Sequence, residues 1–253
     1  MIALITGASA GIGKEFATEF AKDKIDLVLV ARREENMLKH ALFLETNYGV
    51  NVTVIPTDLA VPNSAEKLYD EIQKRDIKID FLINNAGFGD HGEFVDSDLA
   101  KQEEMINLNI LTLTKLTRLF GADMKLRNQG TILNVASDAA FRPGPMMSVY
   151  FATKHYVLAF SEAIAEELTP YGVYVCTLCP GSTQSEFGEM AGFGKLDPNS
   201  SNPTSAEVAA FGFRQMKKKK VVFIHGRQIK LKAFLTQVMP KGLVRRWVYS
   251  QMT

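Results

Sequence analysis

Tyr150 and Lys154 stand four residues apart, and Ser137 lies thirteen residues before the tyrosine. On a helix, positions at this spacing share a face, so a phenol and an ammonium can be held side by side. A phenol titrates near about 10 in water, too high for a base at neutral pH. A neighbouring cation favours the phenolate and lowers that value. Such a pair can give a proton to a carbonyl or take one from an alcohol. The Ser137 hydroxyl can hold the same oxygen while charge develops on it. Taken alone, a Tyr-x-x-x-Lys pair is equally an amphipathic helix surface, and it gains weight only from what accompanies it.

What accompanies it is a glycine-rich turn, Thr6-Gly-Ala-Ser-Ala-Gly-Ile-Gly13, after the first strand-like run. Gly7, Gly11 and Gly13 allow a sharp turn and a close approach to a pyrophosphate, with Ser9 and Ile12 in the same cradle. The helix that follows offers unpaired N–H groups and a positive dipole end. The spacing is G-x-x-x-G-x-G rather than the commoner G-x-G-x-x-G. The second strand ends Leu29-Val-Ala-Arg-Arg33, where a carboxylate would mark an NAD site. Arg32 and Arg33 suit a 2′-phosphate instead, so NADP(H) is the expected cofactor. Two solvated arginines are the plainer alternative, disfavoured at a helix N-terminus. Asp58-Leu59 suits an adenine ring, although Asp58 reads equally as a turn or cap residue. Asn85, Ala86 and Gly87 place small groups where the chain must pass close to a cofactor, and Asn85 could also tie strands together.

These residues need a scaffold that brings them to one edge. Apolar runs at 2–6, 26–31, 52–57, 81–84, 131–136, 173–178 and 221–224 read as strands, with helices expected at 12–22, 34–48, 64–74, 98–126 and 149–168. The helix at 98–126 is expected to be one long helix or one with a break. Continuously apolar strands alternating with helices imply an α/β fold, a doubly wound parallel sheet of Rossmann type with helices on both faces. Ligands in such a sheet sit beyond the carboxyl ends of the strands. The glycine turn, Arg32-Arg33, Asp58, Asn85-Ala-Gly87, Ser137 and Pro180-Gly181 each follow a strand.

The chain has 253 residues and is 46% hydrophobic, enough for one large domain. Its net charge of +1 hides an asymmetry. Residues 211–253 contain eleven Lys/Arg and no Asp/Glu, leaving 18 positive against 28 negative charges in the first 210. A basic C-terminal extension over 227–253 places Leu243, Val244, Trp247 and Val248 on one helical face, with Arg245 and Arg246 off it. It could rest on an anionic membrane, or pack on the core or a second subunit, and packing is the preferred expectation. Cys176 and Cys179 show C-x-x-C spacing, but residues three apart on a strand point to opposite faces. Buried reduced thiols are expected rather than a disulfide or a metal site. No leader, spanning helix or nucleic-acid partner is expected, and the expected location is cytoplasmic. The stretch 184–204 reads as a substrate lid with a short helix.

The chain resembles the short-chain dehydrogenase/reductase family. The match lies in residues 6–13, Asp58, Asn84-Asn-Ala-Gly87, Asn109, Ser137, Tyr150, Lys154 and Pro180-Gly181, in the family's order and spacing. The resemblance implies that Tyr150 is the general acid/base and that Lys154 lowers its pKa and holds the nicotinamide ribose. It makes Ser137 the group that orients the carbonyl, and Asn109 the support of a water relay. Pro180 and Gly181 would shape the nicotinamide pocket, with Thr183 and Ser185 near the carboxamide. Ser185 stands where the family more often has Thr. The extended C-terminus is similar to the hydroxysteroid and long-chain 3-ketoacyl reductase-like subset. The implied function is NADPH-dependent reduction of an apolar ketone, or oxidation of the alcohol, by a homodimer or homotetramer. The alternatives are a fatty-acid-type 3-oxoacyl thioester reductase and a non-catalytic NADP(H)-binding sensor or scaffold.

Overall fold

The computed structural model describes residues 1–194 and 200–253. Seven parallel strands are laid out in the order β3-β2-β1-β4-β5-β6-β7. They are β1 (Ile2–Thr6), β2 (Asp26–Ala31), β3 (Val52–Pro56), β4 (Phe81–Asn84), β5 (Gly130–Val135), β6 (Val173–Cys179) and β7 (Val222–Ile224). The helices between them are α1 (Gly11–Lys22), α2 (Glu34–Tyr48), α3 (Ser64–Lys74), α4 (Leu99–Ile106), α5 (Leu113–Leu126) and α6 (Ser148–Leu168). Beyond β6 come α7 (Phe187–Met190), α8 (Ser205–Lys217), α9 (Arg227–Val238) and α10 (Lys241–Met252). The chain winds outward from β1 to β3, then returns to lay β4 against the other side of β1. This reversal opens a crevice above the carboxyl ends of β1 and β4.

Alternation along the strands divides the core between the two faces of the sheet. Ala3, Ile5, Leu27 and Leu29 pack with α1, α2 and α8 on one face. Leu4, Val28, Val30 and Leu82 pack with α3 and α5 on the other. Phe20 of α1 anchors the first layer. Its ring meets Phe81 at 5.2 Å and Phe213 at 4.9 Å, both edge-on. Cys176 lies in the first layer and Cys179 in a separate cluster, and both thiols are free, buried and pushed up to about 12 by burial.

Of the two forms expected over 98–126 the structure takes the one with a break, and two other elements differ from the sequence expectation. The helix expected over 98–126 is broken by a π-helical segment, Asn107–Thr112, between α4 and α5. Helix α8 is an addition, closed at its start by a capping box in which Thr204 and Glu207 exchange hydrogen bonds. The apolar face expected on α10 is divided: Val244 and Val248 are buried, whereas Leu243 and Trp247 are 55% and 40% exposed. Helix α10 meets the body along one edge only. Helix α9 docks through Ala233 and Thr236, whose hydroxyl donates to the Phe141 carbonyl at 3.3 Å. The extension therefore packs on its own core. Residues 195–199 of the expected lid lie outside the described residues. Among the described residues, no helix is long and apolar enough to cross a membrane, and no three metal-binding side chains cluster.

Because Phe20 is fully buried and joins α1, β4 and α8, Phe20→Ala is expected to cost about 3–5 kcal/mol, read as a lowered midpoint in denaturant unfolding.

Candidate active site

The motifs expected at the strand ends line one cleft of about 1250 Å³. At its floor the glycine turn needs its glycines. Gly7 and Gly11 have φ of +67° and +55°, and a Cβ on Gly13 would run into the Gly7 carbonyl and the Asn85 amide. The residue capping α1 is Ala10, which offers no side-chain acceptor, and the first turn holds no acid. The amides opening α1 thus remain available to an anion from the cleft. Asn85 does not reach outward. Its side-chain amide donates to the Thr6 carbonyl at 3.0 Å, so its work is to clamp the turn to β4. Ala86 continues this clamp, its N–H donating to the Thr6 hydroxyl at 3.0 Å.

Further along the cleft, Arg33 donates to the Ser9 hydroxyl at 3.3 Å and pairs with Glu186 at 2.7 Å. Arg32 lies 4.0 Å from Asp58. Both guanidinium groups are exposed at this end of the cleft, Arg33 beside Ser9 and Arg32 beside Asp58. Asp58 spends one carboxylate oxygen on a local turn, accepting from the Ala60 N–H at 3.0 Å, while the other faces Arg32. Leu59 is buried, and its carbonyl accepts from Thr112 and Ser64. These groups fit a dinucleotide, with Gly7, Gly11, Ile12 and Gly13 at its pyrophosphate and Arg32, Arg33 and Ser9 at its far ribose.

At the other end stand Ser137, Tyr150 and Lys154, each under 9% exposed. Ser137 is the cap of the short turn Asp138–Phe141, its hydroxyl accepting from the Ala139 N–H at 3.1 Å. Tyr150 and Lys154 follow from the helical spacing of α6. Burial raises the Tyr150 pKa well above the phenol value, with the Ser137 hydroxyl acting in the opposite direction and Asp138 adding to the rise. Burial lowers Lys154 to about 8. The Lys154 ammonium donates to the Val135 carbonyl at 2.9 Å and sits 5.7 Å from the centre of the tyrosine ring. In this arrangement the lysine ammonium bonds the end of β5, and removal from water is the largest influence on both groups.

Asn109 gains its place from the π-helical segment, a feature that clusters at functional sites. Its side chain accepts from the Phe88 N–H at 3.2 Å and donates to the Phe88 carbonyl at 2.9 Å and the Thr153 hydroxyl at 3.1 Å. Gly87 passes so close that a Cβ would press on the Asn109 oxygen and approach the Lys154 ammonium. Pro180 accepts the Asp138 N–H at 2.8 Å, tying the end of β6 to the serine turn. Gly181 lies under Ile229, Thr183 folds back on the Gly181 carbonyl at 2.9 Å, and Ser185 bonds the Thr183 carbonyl at 3.3 Å.

Sequence reading missed a polar ladder beneath these groups. Asn84 donates to Asn134 at 2.9 Å and Thr117 at 3.0 Å, and Asn134 donates to Ser161 at 2.8 Å. It joins β4, β5, α5 and α6. Polar residues inside otherwise apolar runs were the available signal, since buried amides must find partners. Also missed were Arg142, buried and paired with Asp138 at 2.8 Å, and the apolar walls Phe88, Met147, Phe151 and Met252. From the lid, Phe187 stands 5.2 Å from the Tyr150 ring.

The family model for short chain dehydrogenases matches residues 1–192. A very-long-chain 3-oxoacyl-CoA reductase of Anas platyrhynchos is 36% identical over 184 residues, 70% of this chain and 58% of that protein. The chain thus matches less than two thirds of that relative's length. A solved short-chain dehydrogenase from Sphingobium yanoikuyae in complex with NADPH is 32% identical, with a TM-score of 0.85 over 96% of this chain and 94% of that one. A bulky-bulky ketone specific alcohol dehydrogenase from Comamonas testosteroni is 28% identical, with a TM-score of 0.80 over 95% of each. With the sheet order, the glycine cradle and the serine, tyrosine and lysine gathered at one cleft end, this match establishes that the chain belongs to the short-chain dehydrogenase/reductase family, whose members bind a nicotinamide cofactor.

Proposed function

We propose that this chain is an NADPH-dependent carbonyl reductase, also able to run as an alcohol dehydrogenase, for ketones with a large apolar body. The observation that carries this reading is the buried Tyr150 hydroxyl beside Ser137 at the apolar end of a cleft whose other end is a glycine cradle. A bound nicotinamide supplies the hydride to the carbonyl carbon. Tyr150, kept protonated by burial, gives its proton to the carbonyl oxygen, leaving the alcohol. Ser137 holds that oxygen as charge builds on it. Lys154, still a cation below pH about 8, stabilises the tyrosinate left behind, and Asn109 fixes the backbone at Phe88 beside the lysine. Arg32, Arg33 and Ser9 support a 2′-phosphorylated cofactor, as does the NADPH in the Sphingobium yanoikuyae structure. Long-chain 3-oxoacyl thioesters are the second substrate class, favoured by the name of the Anas platyrhynchos relative.

The exposed row Leu231, Phe234, Val238 and Leu243 on α9 and α10 also supports peripheral contact with an anionic membrane. The two buried free thiols are compatible with a cytoplasmic location. The outer face of α4 to α6, where Leu99, Ile106, Leu111 and Tyr156 are exposed, is the proposed homodimer contact.

Tyr150→Phe should lower kcat for NADPH-dependent reduction by about 10²–10⁴-fold while NADPH affinity, read by calorimetry, stays nearly unchanged. Full turnover in that variant would refute the reading. In the wild type, kcat/KM should fall as pH rises through about 8, where the cation of Lys154 is lost, and the pH profile reads this directly. Replacing Arg32 and Arg33 by Ala should raise KM for NADPH about tenfold or more with little effect on NADH; equal effects on both cofactors would make the arginines mere surface charges. Co-sedimentation with anionic vesicles should exceed that with neutral ones and weaken in a Phe234→Ser, Val238→Ser variant. Equal pelleting removes the membrane contact, and loss of a dimer instead would assign the row to a second copy.

A further inference from the structure

The cleft carries a charge that the chemistry at Tyr150 does not use. Helix α9 crosses the Asp138–Phe141 turn and contributes Arg227, Ile229 and Lys232 to the cleft wall. Opposite lie Asp138 and Arg142. Arg142 is 7% exposed and already spent: it bonds the Asp138 carboxylate at 2.8 Å and the Asp138 carbonyl at 3.0 Å. That pair is neutral overall and closes on itself. Lys232 is what remains. Among the described residues, no carboxylate lies within salt-bridge distance of its ammonium, which rests 4.7 Å from the centre of the Trp247 ring. Burial and the Arg142 cation both act against its charge, with Asp138 acting for it. In a wall it shares with Met147, Phe151, Ile229 and Met252, this half-buried ammonium rests on the Trp247 ring, and pairing with an anion would offset the cost of its burial. Its place is specific: Lys232 lies one helical turn before Thr236, whose hydroxyl holds α9 to the serine turn. Ser137 and Lys232 line the same cleft, so a substrate whose carbonyl sits at Ser137 can extend toward Lys232.

We propose that Lys232 is an anion-recognition residue of the substrate site, and that the preferred substrate is an apolar ketone, or its alcohol, bearing a carboxylate. The carbonyl lies at Ser137 and Tyr150, the hydrocarbon body against Met147, Phe151 and Met252, and the carboxylate on Lys232. Lys232 touches no reacting atom and acts on binding. The assignment rests on the carbonyl reductase reading for the pose, but not for the anion site itself.

The test compares straight-chain oxo-carboxylates of graded length with their methyl esters, by NADPH oxidation, in the wild type, Lys232→Met and Lys232→Arg. The wild type should favour the carboxylate over the ester by about tenfold or more in kcat/KM, carried by KM. Lys232→Met should abolish that ratio and Lys232→Arg should keep it. A wild type indifferent to the carboxylate, or the same ratio in Lys232→Met, overturns the proposal. A long-chain 3-oxoacyl-CoA forms a third arm. If Lys232→Met weakens only that compound, the anion is a phosphate of the thioester carrier and the carboxylate assignment falls. Should neither ketone be turned over, Trp247, the single tryptophan, separates the two readings. Saturable quenching of its fluorescence by the carboxylate but not the ester, lost in Lys232→Met, upholds the anion site while the reductase reading fails. Absence of quenching overturns the anion site as well.

Discussion

One buried hydroxyl holds the crevice open. Thr6 ends β1, is 1% exposed, donates to the Ile83 carbonyl at 3.2 Å and accepts the N–H groups of Asn85 and Ala86, each at 3.0 Å. A hydroxyl has one proton and two lone pairs, and all three are used. The two strands it joins are those between which the chain reverses direction. Asn85 adds a side-chain bond to the Thr6 carbonyl, so the glycine turn leaves β1 already fixed against β4. The close passage of Gly7 past Ala86 and of Gly87 past Asn109 follows from this joint, and so does the shared floor of the two halves of the cleft.

The reactive end depends on a different economy, that of water exclusion. Tyr150 and Lys154 are pushed in opposite directions on the pH scale by the same burial. The outcome is an environment that favours the neutral form of both groups. Keeping such groups buried requires rigid support, which comes from the amide ladder Asn84–Asn134–Ser161 and from Asn109 clamped on Phe88. In a low-dielectric interior such a ladder resists rearrangement, because each broken bond would leave a further unsatisfied group beside the Asn84 oxygen, which is buried without a partner.

Much of this was legible in the sequence. Strands read as apolar runs came out within a residue or two of their observed ends, because buried parallel strands leave little room for polar residues. Ser137, Tyr150 and the glycines were readable because their chemistry or backbone conformation restricts the residue type. The fate of Asn85 was not, since an amide after a strand can serve a ligand or the backbone equally well, and only the position of the Thr6 carbonyl decides. Nor was the aim of Lys154 legible: four-residue spacing places it beside Tyr150 but cannot say that the Val135 carbonyl will draw the ammonium away. Arg142 was passed over because its burial on Asp138 depends on how the turn after β5 is packed, and Lys232 because its place in the cleft depends on where α9 docks, nearly a hundred residues further along the chain.

The π-helical segment has a consequence for the angular phase of the helices it connects. In a regular α-helix each step of four residues overshoots a full circle by about 40°, so a stripe drawn at that interval spirals off its side within three steps. Met105, Asn109, Leu113 and Thr117 are nevertheless all buried, at 0%, 1%, 5% and 3% exposure. The broader coil at Asn107–Thr112 turns more slowly and cancels the overshoot. A stripe of four residues, three steps long, is thereby kept pointing inward, and an amide can be inserted into it without rotating the apolar side of α5 out of the sheet.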